Sequence, residues 1–169
     1  MTHRTDFGAM ECPVARSLDC VGEWWSILIL RDAFQGATKF DEFQKSLGIA
    51  PNMLARRLKH LTANGMFETK MYSQRPPRYE YVLTEKARDF FPVVVAMLGW
   101  GNKHLAPEGV SLEIADRRTL APFTPLVVNG QCEPVSLDNV ALVPGPAASK
   151  GMRRRLEGAR ALRAGPTPE

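Results

Sequence analysis

TKFDEFQKSLGIAPNMLARRLKHLTANGMFETKMYSQRPPRYEYVL, running from Thr38 to Leu83, reads as helix, tight turn, helix, then two strands joined by a short basic loop. The second helix is bounded by Pro51, whose missing N–H costs nothing in a first turn, and by Gly65 after Asn64, suited to the left-handed position that ends a helix. At about 100° per residue, Met53, Leu54, Leu58 and Leu61 fall on one arc, while Asn52, Arg56, Lys59 and Ala63 centre on the opposite side. No acidic residue occurs between Gly48 and Gly65. That suits a helix lying against phosphates and base edges in a major groove about 12 Å wide. An ordinary amphipathic helix with a solvated face would show the same pattern, so its neighbours must decide.

Upstream, Thr38-Lys39-Phe40-Asp41 offers a cap residue followed three positions later by a carboxylate, and Phe40, Phe43 and Leu47 repeat at helical spacing. Gly48 closes this helix, and only Ile49 and Ala50 separate it from Pro51. A short glycine-containing turn between two short helices is the helix-turn-helix signature. Downstream, Phe67 to Tyr72 and Tyr79 to Leu83 are rich in aromatic and β-branched residues and flank Ser73-Gln74-Arg75-Pro76-Pro77-Arg78. This predicts strand, loop, strand, with prolines stiffening the tip and blocking further strand pairing. Arg75 and Arg78 then sit near the end of a projecting hairpin. Solvated arginines are common there, but beside a two-helix unit they read as a wing that touches phosphate or minor groove. The fold class expected is α+β, a winged helix-turn-helix, with double-stranded DNA as the leading partner.

Outside this run, Val14 to Val21 and Trp24 to Phe34 read as two helices split by Gly22, the second almost continuously apolar through Trp25, Ile27, Leu28, Ile29 and Leu30. Glycines at 22, 36, 48 and 65 punctuate four successive helices. Thr84 is expected to cap a long helix reaching about Leu105. Its Phe90, Phe91, Val94, Val95, Met97, Leu98 and Trp100 give more apolar surface than one small domain needs, so a dimer interface competes with simple closure of the monomer's core. Residues 1–108 form the expected DNA-binding and dimerisation domain, and 109–169 a C-terminal extension. Prolines at 122, 125, 134, 144 and 146 cut that extension into short extended pieces, Leu126 to Asn129, Cys132 to Ser136 and Val140 to Val143, with Asn129-Gly130 as a turn. It reads as a small β-rich appendage ending in a basic helix from about Ala147 to Arg163. Arg153, Arg154, Arg155, Arg160 and Arg163 there could add a phosphate contact, although charged terminal helices are usually just solvated.

The 169 residues carry a net charge of +4, spread unevenly. Residues 36–82 hold eight Lys or Arg against four Asp or Glu, residues 150–169 six against two, and the other two stretches are net acidic. No apolar run of about 18 residues and no basic-then-apolar leader follow Met1, so a cytoplasmic protein without a membrane partner is expected. Cys12, Cys20 and Cys132 form no CxxC pair, which supports neither a disulfide scaffold nor a metal site. His3, His60 and His104 are scattered, and no nucleophile triad, glycine-rich phosphate loop or informative carboxylate pair appears, so neither an enzyme nor a cofactor is expected.

Six blocks in order then carry a resemblance: Cys12-Pro13-Val14, Trp25 to Arg31, Lys39 to Phe43, Met53 to Leu61, Pro76 to Tyr81 and Leu83-Thr84. Over about residues 11–105 the chain resembles the HxlR-type winged helix-turn-helix transcription regulators of the MarR-like superfamily. The resemblance implies a homodimer built from the first and last helices of each subunit, with the helix starting at Pro51 in the major groove. The family often has Ser and Gln where this chain has Ala50 and Pro51, which shifts recognition onto Asn52, Arg56 and Lys59. A two-fold dimer places its two reading helices about 34 Å apart, hence a palindromic operator. Binding near a promoter would block or recruit polymerase. The candidate DNA-binding set is Lys39, Asn52, Arg56, Arg57, Lys59, His60, Arg75 and Arg78. Within it Asn52 and Arg56 are the base readers and Lys59, Arg75 and Arg78 the phosphate contacts. Arg57 falls inside the apolar arc, where pairing with a carboxylate competes with DNA contact.

Cys12 precedes Pro13 at a helix start, where the helix dipole stabilises a thiolate, while Glu11 beside it acts the other way. Several HxlR-type regulators sense quinones, aldehydes or oxidants through a cysteine at this place, so Cys12 is the redox-sensing candidate, against an inert buried thiol. Cys20 falls inside the helix and reads as core. Two alternatives stay open: control by a small molecule bound near the dimer interface or the extension, and a winged-helix protein-interaction or architectural module.

Overall fold

The computed structural model describes residues 7–164, with side chains through residue 160. The apolar run Trp25 to Leu30 forms the centre of α2 (Trp24–Phe34), which follows α1 (Pro13–Val21) and precedes α3 (Phe40–Leu47) and α4 (Pro51–Ala63). Ile29 and Leu30 of α2 are fully buried against Phe43 of α3 and Leu54, Leu58 and Leu61 of α4, with Ile49 of the intervening turn closing the same core. Removing these side chains from water at about 25 cal/mol per Å² is the main stabilising term of the unit. Gly48 ends α3 with φ at 60°, a left-handed turn that glycine adopts without a Cβ clash and that redirects the chain into α4 within two residues.

The start of α3 differs from expectation. Lys39, not Thr38, is the cap residue, and the carboxylate that closes the first turn is Glu42 rather than Asp41. Its Oε2 accepts from the Thr38 N–H at 2.8 Å and the Lys39 N–H at 3.0 Å. Thr38 is used elsewhere: its carbonyl accepts from Tyr81 N–H at 2.7 Å, and Lys39 bridges Glu80, so the entry to α3 lies against the hairpin.

That hairpin is β1 (Phe67–Gln74) and β2 (Pro77–Leu83), antiparallel, in register from Phe67 opposite Leu83 to Gln74 opposite Pro77, with an irregularity between Met71 and Ser73. Pro77 is the first residue of a strand, where its missing N–H is tolerated, so the tip is only Arg75-Pro76. Phe43, Phe67 and Tyr81 meet as tilted and edge-on rings 6.0 to 6.4 Å apart and fasten the wing to α3. Together these elements make a winged helix-turn-helix of the α+β class.

After the wing, Thr84 caps α5 (Glu85–Asp89), its hydroxyl oxygen accepting from Ala87 N–H at 3.2 Å. The expected long helix is two: α6 (Phe91–His104) begins after a junction at Phe90. Pro92 is the cause, since it has no N–H for the Arg88 carbonyl and its ring crowds that oxygen in a continuous helix. The expected β-rich appendage is also corrected. Among the described residues 109–149 form no strand, only isolated bridges at Ala115–Pro122 and Val128–Pro134 and one 3-10 turn at Leu137–Asn139. The Asn129-Gly130 turn does form, with Asn129 N–H on the Glu133 carbonyl and Val135 N–H on the Val127 carbonyl. Proline at every few positions removes ladder donors, so pairing never extends. The terminal helix α7 (Lys150–Ala164) starts after Ser149, three residues later than Ala147. Among the described residues, no helix is long and apolar enough to cross a membrane.

Candidate nucleic-acid interface

α4 carries six basic or amide side chains, counting Asn64 at its C-cap, and the fold divides them between two sides. Asn52, Arg56 and Lys59 are exposed on the face opposite Leu54, Leu58 and Leu61. The Asn52 side-chain oxygen accepts from the Met53 N–H at 2.8 Å, which leaves its NH₂ group facing outward as a donor. Arg56 rests its guanidinium 3.0 Å from the Met53 sulfur, a weak contact that a base or phosphate can displace. Lys59 has no ion pair among the described residues.

The other side of α4 turns inward, and two residues placed in the DNA-binding set go with it. Arg57 lies three residues after Leu54 and four before Leu61, so it shares the buried arc and is only 8% exposed. Its guanidinium sits 2.8 Å from Glu23, the residue that precedes α2. It is therefore a link between helices rather than a DNA contact, because leaving Glu23 would strand a charge in the core's edge. His60 Nε2 lies 3.1 Å from the Cys20 carbonyl and 3.2 Å from the Asp19 carbonyl, in the last turn of α1. Both partners are acceptors, so this nitrogen carries the proton and supplies a donor to carbonyls that α1 cannot satisfy itself. Asn64 Nδ2 donates to the His60 carbonyl at 2.9 Å and closes the same corner.

On the wing, Arg75 occupies the exposed two-residue tip and has no ion pair among the described residues. Arg78 lies 3.8 Å from Asp41 of α3, an exposed pair of little energetic weight. Lys39 sits 5.2 Å over the Tyr72 ring and 3.9 Å from Glu80, at the joint between α3 and the hairpin. The structure thus brings Asn52, Arg56, Lys59 and Arg75 to the surface without a carboxylate partner among the described residues.

Cys12 is the residue that precedes α1, as expected, with φ −70° and ψ 119°. The Ala15 and Val14 N–H groups lower its thiol pKa; burial opposes them, and the Arg155 guanidinium of α7 adds to the lowering. Glu11 is turned away: Oε1 accepts from Ser149 N–H at 2.7 Å and Oε2 from the Ser149 hydroxyl at 2.6 Å, so it binds the residue before α7. These contacts join residues 138 apart, and nothing in local sequence could have signalled them. Cys20 behaves oppositely, since burial raises its pKa, as a half-buried core position would. The side chain of Arg163 lies outside the described residues, as does His3. Among the described residues no group of three or more His, Cys, Asp or Glu is placed to hold a metal ion.

Three comparisons place this geometry among known proteins. The profile of the HxlR-like helix-turn-helix family matches residues 20–109. An uncharacterized HTH-type transcriptional regulator of Mycobacterium tuberculosis is 38% identical over 135 residues, 79% of this chain and 85% of the relative. A solved structure from Pseudomonas aeruginosa, described as a candidate transcription factor, is 50% identical with TM-score 0.64, covering 85% of this chain and 99% of that one. The oxidized form of the redox regulator HypR is 35% identical with TM-score 0.51, covering 55% of this chain and 97% of that one.

Proposed function

Because this chain belongs to the HxlR-like helix-turn-helix family, whose members are transcriptional regulators and not enzymes, we propose that it acts as a homodimer on a palindromic operator. The observation that carries the reading is the outward face of α4, where Asn52, Arg56 and Lys59 stand free of acidic neighbours on a helix fixed by its other face. Asn52 pairs with adenine and Arg56 with guanine, each bidentate contact contributing about 1 to 3 kcal/mol of discrimination. Lys59, Arg75 and Arg78 contact phosphate, and the cytoplasm is the matching compartment.

Dimerisation is supported by apolar side chains that no element among the described residues covers. Val14 and Leu18 on α1 are 68% and 52% exposed, Trp24 is 74% exposed, and Val93, Met97 and Trp100 repeat along one line of α6. Isolated exposed apolar residues are ordinary, but their recurrence along faces of α1 and α6, with Trp24 on α2, fits an interface.

Gel shifts with the DNA upstream of the protein's own gene, under excess random DNA and a salt series, test this reading. Retained binding to one palindromic segment supports it. Sequence-independent binding would favour the architectural module, and no binding would favour protein interaction.

The regulatory signal we propose is modification of Cys12, in keeping with the similarity to a redox regulator. The Cys12 thiolate attacks an electrophilic carbon such as that of a quinone. A C–S bond forms, the displaced electron pair moves to the carbonyl oxygen, and that oxygen takes a proton from water. Alkylation removes the negative charge that Arg155 faces and so disturbs the contact between α1 and α7. Thiol-reactive electrophiles are expected to change operator affinity, and Cys12→Ser to abolish the change. An unaltered response in that variant removes the cysteine from the mechanism.

A further inference from the structure

The charges of the DNA-reading segment are sorted by element. Residues 36–82 hold four carboxylates, Asp41, Glu42, Glu68 and Glu80; none lies on α4, and all stand in the first turn of α3 or on the hairpin. Glu42 serves its own helix, accepting from the Thr38 and Lys39 N–H groups. Asp41 and Glu80 reach cations instead. Asp41 Oδ2 lies 3.8 Å from a terminal nitrogen of Arg78, across the cleft between α3 and β2. Glu80 Oε1 lies 3.9 Å from Lys39 Nζ. Glu80 is also opposite Lys70 in the hairpin register and bridged to Lys39 on its other edge, which makes it the middle of a row of three charges. Paired residues of this kind point to one face with Cβ atoms about 5 Å apart.

The fold does not need these pairs. The side chains of Asp41 and Arg78 are 80% and 54% exposed, and pairs so open to water and salt add little stability. The wing is fastened by the rings of Phe43, Phe67 and Tyr81 and by the Tyr81 N–H on the Thr38 carbonyl. A helix dipole favours a carboxylate in the first turn, but Glu42 already supplies one to α3. What the pairs do change is the charge that the wing offers to a phosphate. A guanidinium held by a carboxylate must leave that partner to take a phosphate, and the carboxylate left behind then repels the phosphate. Arg75 supplies the contrast within the same hairpin, exposed at the tip with no such partner among the described residues.

We propose that Asp41 and Glu80 are negative determinants of DNA affinity. They occupy Arg78 and Lys39 in the free protein, so these two cations reach phosphate only by exchange, and sequence-independent attraction falls mainly on Lys59 and Arg75. The inference rests on the reading of α4 and the wing as DNA-binding. It needs neither dimerisation, nor an operator, nor Cys12.

The test titrates the full-length protein with a random-sequence DNA duplex over a salt series, comparing wild type with Asp41→Asn and Glu80→Gln, which keep the shape of the side chain. Each variant is expected to bind about threefold more tightly at low salt, and the plot of log affinity against log salt is expected to steepen by up to about 1. Removing any negative charge near DNA raises affinity through the general field, so pairwise coupling decides. In an Arg78→Ala background Asp41→Asn is expected to change affinity by less than about 1.5-fold, whereas in an Arg75→Ala background its gain is retained. Equal gains in the two backgrounds assign the effect to the general field and overturn the proposal. So does unchanged or weaker binding by either single variant, with thermal melts showing that the protein is folded. A wild type that binds no duplex at low salt overturns the DNA-binding reading and this inference with it. A wild type that binds while the coupling is absent overturns this inference alone.

Discussion

The two faces of α4 both carry basic residues and put them to opposite work. Arg56 and Arg57 are adjacent in the chain, yet one is exposed beside Met53 and the other is 8% exposed on Glu23. Lys59 and His60 divide the same way, one into solvent and one onto the last carbonyls of α1. A rotation of about 100° per residue separates a nucleic-acid contact from a structural link, and basic character alone tells a reader nothing about which is which.

The largest expected effect that could break this comparison belongs to the inner face. Arg57→Ala should destabilise the fold by about 2 kcal/mol, since it removes a packed stem from the buried arc and the ion pair to the half-exposed Glu23 at the start of α2. Chemical denaturation measures it, and a loss below about 0.5 kcal/mol would put Arg57 back among surface residues. On the outer face, Arg56→Ala should leave stability within about 0.5 kcal/mol while relaxing preference at one operator position by about 1 to 3 kcal/mol. Competition binding with single-base operator variants reads that difference, and a uniform loss over all variants would reassign Arg56 to phosphate.

Lys59→Ala should weaken binding to specific and random DNA alike and reduce the steepness of the log affinity against log salt plot by about 1. A change confined to one base pair would contradict the assignment. Smaller still is the contribution of Glu42, whose carboxyl pKa is lowered chiefly by the Thr38 and Lys39 N–H groups it accepts. A carboxyl depressed on folding stabilises above its unfolded value and loses that contribution as pH falls through its folded value. Glu42→Ala should therefore cost about 1 kcal/mol at pH 7, a cost that disappears on acidification, as paired thermal melts across that range would record. For Cys12 the expected alkylation rate rises with pH at a midpoint below the ordinary thiol range, and Arg155→Ala moves that midpoint up. An unmoved midpoint would assign the whole shift to the helix start.

The winged unit was legible in the sequence because each of its decisions is local. Gly48 and Pro51 set the turn, and the spacing of Leu54, Leu58 and Leu61 sets the buried arc. The run of aromatic and β-branched residues either side of Arg75-Pro76 sets the wing. Where reading failed, a nearby competitor won. Glu42 reaches back further than Asp41 and took over the cap of α3, and Pro92 broke the helix that periodicity carried through. In the extension, short extended pieces looked like strands, but their prolines left no ladder to form.

By itself the sequence determined the order of helices and strands, the family and the outward candidates on α4, because periodicity of 3.6 and of 2 and the chemistry of Gly and Pro act over a few residues. Only the tertiary structure decided that Arg57 and His60 turn inward and that Glu11 serves α7 while Arg155 attends Cys12. Those outcomes depend on which distant groups share a desolvated space, as with Glu11 and Ser149, 138 positions apart, and no local pattern encodes such a meeting.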